Sequence, residues 1–331
     1  MLAGMAVLVA AGAAGLVLGP ASIGAGDVLG ALVSRLPLVD LDTGLTTRQS
    51  AILWELRAPR VVLGGLVGGT LAIAGATYQG AFRNPLADPY LLGAAAGAGL
   101  GATLAIAYGG VGSATLLPVA AFVGAVGGVA AAYTLARTVG GARSSATLLL
   151  AGVAVASFLT AAQTFVQQRH AESLRQVYGW ILGRLATAGW SDVVTTLPYV
   201  VGAVVVILLH RRLLDLLQVG DDEVRALGAH PERIRLVVLA AATLGTAAVV
   251  AVSGLIGFVG IIVPHAVRLV VGTGHRLVLP LSFLVGAAFL ILCDVGARTV
   301  LAPAELPIGV VTAAVGAPCF ALVLASVKGA R

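Results

Sequence analysis

The chain has 331 residues, 59% of them hydrophobic and only 10% charged, with a mean hydropathy of +1.03. A soluble domain carries about 25% charged residues, so a water-soluble fold would have too few of them to cover its surface, and an integral membrane protein is indicated. The net charge of +6 comes from arginines scattered singly between apolar runs, with no basic block of the kind that binds nucleic acid.

Spanning the ~30 Å hydrocarbon layer takes about 20 apolar residues of helix. Ten runs approach that length: 2–19, 61–82, 90–108, 116–136, 146–166, 193–210, 236–254, 255–271, 278–301 and 308–327. The first has no Lys or Arg before Arg35, so it lacks a signal peptide's basic start and reads as a retained helix. The second opens behind Arg57 and Arg60 and is followed by Asn84, Pro85 and Asp88, residue types that shape turns. The eighth is short, separated from the seventh only by Ser253 and Gly254. Cys293 and Cys319 both fall inside apolar runs, where a thiol behaves as a small hydrophobe.

An even number of spans puts both termini on one side. With the termini in the cytoplasm, 12 of the 20 basic residues lie inside: Arg83, Arg137, Arg143, Arg211, Arg212, Arg225, Arg233, Arg235, Arg268, Arg276, Lys328 and Arg331. The bias follows the positive-inside tendency, but it leaves Arg57, Arg60 and Arg298 on the outer side without an explanation. Glycines four apart, such as Gly64 with Gly68 and Gly65 with Gly69, favour close helix packing in lipid. VVLGGLVGGT at 61–70 aligns without gaps on VVLAAATLGT at 237–246, five positions of ten being identical. The two segments run in opposite directions in this topology, the pattern of an inverted repeat.

No HExxH pair, no GxSxG turn and no phosphate-binding loop occurs, and the only lysine is Lys328. The chain therefore reads as a non-enzyme without a nucleotide site of that type. Its longest polar stretch, HRRLLDLLQVGDDEVRALGAHPERIR at 210–235, lies on the inner side. Asp221, Asp222 and Glu223 suit the first turn of a short helix, Gly228 its end and Pro231 the start of the next. Such a pair of helices is either a solvated loop or a docking surface for a soluble partner.

Several blocks then carry a resemblance: GAFRNPLADPYLLGAAAGAGLGA (80–102), SSATLLLAGVAV (144–155), VRALGAHPERIR (224–235), SGLIGFVGIIVPHAVRL (253–269) and PAELPIGVVTAAVGAPCF (303–320). In this order, and from LGPASIGAGDVLGALV (18–33) onward, they resemble the permease subunits of type II ABC importers, the FecCD/BtuC-type family for iron-siderophores, haem and cobalamin. The resemblance implies an all-α integral membrane protein with about ten transmembrane helices in one domain, placed in the bacterial cytoplasmic membrane. It further implies a second permease chain, most simply a homodimer, two ATPase subunits that hold ATP and Mg, and an extracytoplasmic substrate-binding protein. No cofactor is implied on this chain.

Residue by residue, the resemblance makes 210–235 the coupling element for the ATPase, carried by Asp221, Asp222, Glu223, Arg225, Leu227, Gly228 and Arg233. Arg57, Arg60 and Arg298 become docking charges for glutamates of the binding protein, with lipid headgroups as an alternative and, for Arg298, an ion pair with Asp294. Guanidinium fits that task because its planar fork pairs bidentately with a carboxylate. Ser144, Ser145 and Thr147 line a cytoplasmic gate, and Thr160, Gln163, Thr164 and Gln167 offer contacts along the translocation path or hydrogen bonds between helices. The competing reading is a secondary transporter working alone, which needs ionisable groups deep in the bundle; Asp294 is its one candidate in the sequence. The motifs are shared across substrates, and iron chelates rank first with cobalamin close behind.

Overall fold

The computed structural model describes residues 1–35, 44–109, 115–140 and 145–328, and among them helices and turns account for all regular structure. In chain order the helices are α1 (Leu2–Val17), α2 (Ala25–Val33), α3 (Thr47–Phe82), α4 (Ala94–Tyr108), α5 (Leu116–Gly140), α6 (Ser145–Arg169), α7 (Leu174–Ile181) and α8 (Trp190–Leu209). They continue as α9 (Arg211–Leu217), α10 (Asp221–Ala226), α11 (Pro231–Ser253), α12 (Val259–Val271), α13 (His275–Thr299) and α14 (Ile308–Lys328). Each of the ten expected apolar runs falls on a helix. Six helices (α3, α5, α6, α8, α11 and α13) are long and apolar enough to cross a membrane, whereas α1, α4 and α12 fall short, as does the described apolar part of α14, Ile308–Ala321. At 1.5 Å per residue, the 13 residues of α12 extend only about 20 Å.

The second span begins earlier than the hydropathy indicates. Thr46 and Gln49 form a capping box, so α3 starts at Thr47, and Arg57 and Arg60 lie well inside a 36-residue helix rather than at its mouth. Residues Ile52–Arg57 form a wide π-turn just ahead of Pro59. Proline cannot donate to the ladder and its ring crowds the preceding turn; the π-turn absorbs that mismatch, as such turns often do at functional sites. At the far end Arg83 takes a left-handed cap with φ 51°, and Asn84 accepts a hydrogen bond from the Leu86 N–H before the chain turns away.

Helix α3 is the axis of the bundle, packed against α8, α11, α12 and α13, and 83% of its apolar window is buried. Small residues make these approaches: a Cβ added at Gly68 would lie 2.3 Å from the Gly286 carbonyl oxygen, and one at Gly75 only 2.0 Å from that of Gly260. Backbones this close are held by dispersion and shape, because lipid supplies no hydrophobic force between helices. The two aligned stretches at 61–70 and 237–246 lie on α3 and α11, which run antiparallel: Gly245 meets Thr70, Thr243 bonds Tyr78 at 2.7 Å, and Arg235 reaches Ala81.

Candidate functional site

Three places gather the expected residues. The first is the two-helix unit at 210–235, where Leu214, Leu217 and Val224 are fully buried and pin α9 and α10 onto the bundle. Asp221 accepts two 2.7 Å hydrogen bonds from the Arg235 guanidinium and pairs with Arg83 at 3.0 Å, while Arg235 Nε donates to the Ala81 carbonyl. The Arg235 hydrogen bonds hold the Asp221 carboxyl below the usual carboxylate range. His275 clamps the other side, its ring and backbone N–H both meeting Asp215 of α9, at 2.7 and 2.8 Å.

The expected coupling set therefore divides. Asp221 faces inward and spends both carboxylate oxygens on anchoring the unit, so it positions the surface rather than forming it. Asp222, Glu223, Arg225, Leu227, Gly228 and Arg233 are exposed. Arg225 bridges Asp222 at 2.8 Å and Glu232 at 2.7 Å, and Gly228 holds φ +79°, a left-handed turn that any side chain would strain. Leu227 stands 69% exposed at the corner between α10 and α11. An apolar knob ringed by charges on a rigidly anchored unit is the layout of a docking surface.

The second place is the opposite end of α3. Arg60 forks onto Asp294 through three contacts of 2.8 to 3.0 Å and also reaches Glu305. Arg57 is 4% exposed and donates to the carbonyls of Leu16, Val17 and Ala21; Arg298 is 3% exposed, donates to the Gly15 carbonyl at 2.7 Å and lies 3.5 Å from Asp294. The three arginines expected as docking charges are thus partnered within the chain, and the ion pair between Arg298 and Asp294 expected as an alternative is present. Arg57 and Arg298 are turned inward because the last carbonyls of α1 lack helical partners and two guanidiniums satisfy them. Of the three, Arg60 is the one that reaches an exposed residue, Glu305.

The third place is α6. Thr160 and Thr164 sit on its exposed face, where with Ser157, Val153, Tyr90 and Leu91 they line a groove of about 580 Å³. Gln163 and Gln167 point the other way and are buried, Gln163 lying against Gly99 of α4. So two of the four expected path residues share an open groove and two are buried within the bundle. Of the gate residues, Ser144 lies outside the described residues, Ser145 begins α6, and Thr147 is half-buried nearly two turns before Val153, the groove's first residue on α6.

One acid escaped the sequence reading as anything but a turn former. Asp88 is 8% exposed and accepts a 2.8 Å hydrogen bond from the Tyr90 N–H, and burial pushes its carboxyl up to about 6. The folded chain then keeps a proton that the unfolded chain has released, so stability falls as pH rises from about 4 to about 6. Asp88→Asn, which keeps the acceptor, is expected to flatten this slope and to stabilise the protein at pH 7 by up to about 3 kcal/mol; thermal unfolding across pH 4 to 8 checks it.

A glycine-packed helical membrane bundle with a polar two-helix unit at one end and a buried arginine cluster at the other is the layout of a transport protein. The model of the FecCD transport family matches residues 7–326, and the chain belongs to that family. It is 43% identical over 284 residues to the cobalamin import system permease protein BtuC of Halobacterium salinarum, covering 86% of this chain and 76% of that one. The hemin transport system permease protein HmuU of Yersinia pestis is 40% identical, covering 81% of each chain. An uncharacterized ABC transporter permease protein, YvrB of Bacillus subtilis, is 42% identical over 82% of this chain and 78% of its own. A solved inward-facing conformation of a metal-chelate type ABC transporter superposes with a TM-score of 0.86 at 29% identity, covering 98% of both chains.

Proposed function

We propose that the chain is the permease subunit of a binding-protein-dependent ABC importer that carries a metal chelate, an iron-siderophore or haem first and cobalamin close behind, across the bacterial cytoplasmic membrane. ATP and Mg act on a separate ATPase subunit. The observation that carries this reading is the family match across 7–326 joined to the anchored, outward-facing unit at 210–235. In this account the unit faces the cytoplasm, as do both termini, and all ten apolar helices take part in crossing the bilayer, the short ones being completed by their neighbours. The antiparallel stretches on α3 and α11 are the centre of an inverted repeat.

Asp222, Glu223, Arg225, Leu227, Gly228 and Arg233 form the contact with the ATPase, and Asp221 keeps it rigid. The exposed face of α6, with Phe158 at 73% and Phe165 at 60% exposure, packs toward a second copy of the chain. Between the two copies Thr160 and Thr164 border the path, and residues 144–147 close its inner mouth. On the outer side the binding protein docks on the rim around Arg60 and Glu305, and Arg57 and Arg298 shape that rim from beneath.

The competing reading is a proton-coupled transporter without an ATPase, and the specific observation in its favour is the buried Asp88 carboxyl at about 6. Asp294 no longer supports it, since Arg60 and Arg298 hold its carboxylate. Purification separates the two: the first requires the chain to co-elute with an ATPase subunit, the second requires uptake driven by a proton gradient alone.

A further inference from the structure

An apolar groove of about 290 Å³ runs along the outside of the bundle between α5 and α11, lined by Leu92, Val129, Ala130, Tyr133, Leu236 and Ala240 among others. The only hydroxyls in its wall belong to Tyr133 and Thr243, and Thr243 spends its own on Tyr78. The two helices run antiparallel: Ala136 shares an apolar cluster with Ile234 and Val224, while Ala121 and Ala125 cluster with Ala247 and Val250. Tyr133 and Leu236 therefore mark the same end of the groove.

That end carries two cations. Arg137 lies one turn beyond Tyr133, with its guanidinium 5.6 Å from the ring centroid, and Arg233 lies one turn before Leu236 on the same helix face. Both are exposed, and neither has an ion pair among the described residues. Apolar walls along two membrane-spanning helices, closed at one end by two uncompensated guanidiniums, complement a molecule with a long hydrocarbon chain and an anionic head. A partner helix would fill the walls but leave the charges unanswered.

We propose that this groove binds an anionic phospholipid, with one acyl chain lying between α5 and α11 and the phosphate held between Arg137 and Arg233. Basic sites between membrane helices at headgroup depth select anionic lipids in this way, and guanidinium suits the phosphate because it forks onto two oxygens. The assignment is independent of the transported substrate. It gives Arg233 a lipid contact at the root of the 210–235 unit, beside any contact it makes with a soluble partner.

The test uses the purified full chain in phosphatidylcholine nanodiscs doped with a phospholipid carrying a photoreactive acyl chain, either phosphatidylglycerol or phosphatidylcholine. Phosphatidylglycerol should label Val126–Tyr133 and Leu236–Leu244 on the order of 25-fold more than phosphatidylcholine, each guanidinium contributing about fivefold. Arg137→Ala with Arg233→Ala should bring the two lipids level, and the double Lys variant should keep most of the preference. Ala130→Trp should abolish labelling by both at an unchanged melting temperature; if it misfolds, the arginine variants still decide. Equal labelling by the two lipids in the unaltered chain, a preference that survives the double Ala variant, or crosslinking of α5 or α11 to a second copy in place of lipid would overturn the proposal.

Discussion

Replacing Asp294 with Asn is expected to cost this protein about 3–5 kcal/mol of stability. Its carboxylate is 2% exposed and, among the described residues, is the only buried acid facing Arg60 and Arg298, with Arg57 close behind. Removing the charge leaves these guanidiniums with Glu305 alone, which is one-third exposed and so screened by solvent. Unpaired buried charge, rather than the lost bond itself, dominates the cost. The double variant Arg60→Met with Asp294→Leu removes both partners of the fork and should recover part of the loss. Thermal unfolding of the purified chain in detergent reads both, with a fall on the order of 10 °C expected for the single variant. A single variant as stable as the double one would mean that the cluster is hydrated and does not hold α1, α3 and α13 together.

A second large effect is expected at the coupling unit, where replacing Arg225 by Ala and Gly228 by Val should reduce substrate uptake at least tenfold while ATP hydrolysis by the partner continues. Arg225 makes only exposed ion pairs, which solvent screens, and nothing lies within 4 Å of a Cβ at Gly228. A side chain at φ +79° strains the turn by about 1–2 kcal/mol, which re-aims Leu227 without disturbing Val224 or the Asp221–Arg235 anchor. The melting temperature should therefore stay within a few degrees of the parent. Asp221→Ala makes the contrast: it frees Arg235, which is 7% exposed, and should lower both stability and uptake. Normal uptake by the Arg225/Gly228 variant, measured in proteoliposomes, would remove this surface from the coupling role.

What the sequence made legible follows from which physical signals are local. Apolar runs are local, so each of the ten expected segments falls on a helix, whereas the shorter α2 (Ala25–Val33) and α7 (Leu174–Ile181) were not expected; the acidic first turn at Asp221–Glu223 and the left-handed Gly228 mark the short helix between them. Helix ends were less readable: the apolar run of the second span starts at 61, but the Thr46–Gln49 capping box and the π-turn carry the helix back to Thr47. That shift changes the meaning of Arg57, which a position at a helix mouth would expose and a position inside the helix buries against the end of α1. The direction of side chains was the least legible. Thr160 and Thr164 part from Gln163 and Gln167 by less than a turn, and only packing against Gly99 shows which pair faces the bundle. Pairings such as Arg60 with Asp294 and His275 with Asp215, 234 and 60 residues apart respectively, leave no local trace.

The central claim is that this chain moves its substrate only when a separate ATPase drives it from the 210–235 surface. The most direct measurement is uptake of a candidate metal chelate, delivered by its binding protein, into proteoliposomes containing the chain with its ATPase partner and ATP sealed inside. The account predicts uptake that needs ATP, stops when the ATPase subunit is omitted, and is indifferent to a proton gradient. Uptake by the chain alone that follows an imposed proton gradient and is lost in Asp88→Asn would contradict it.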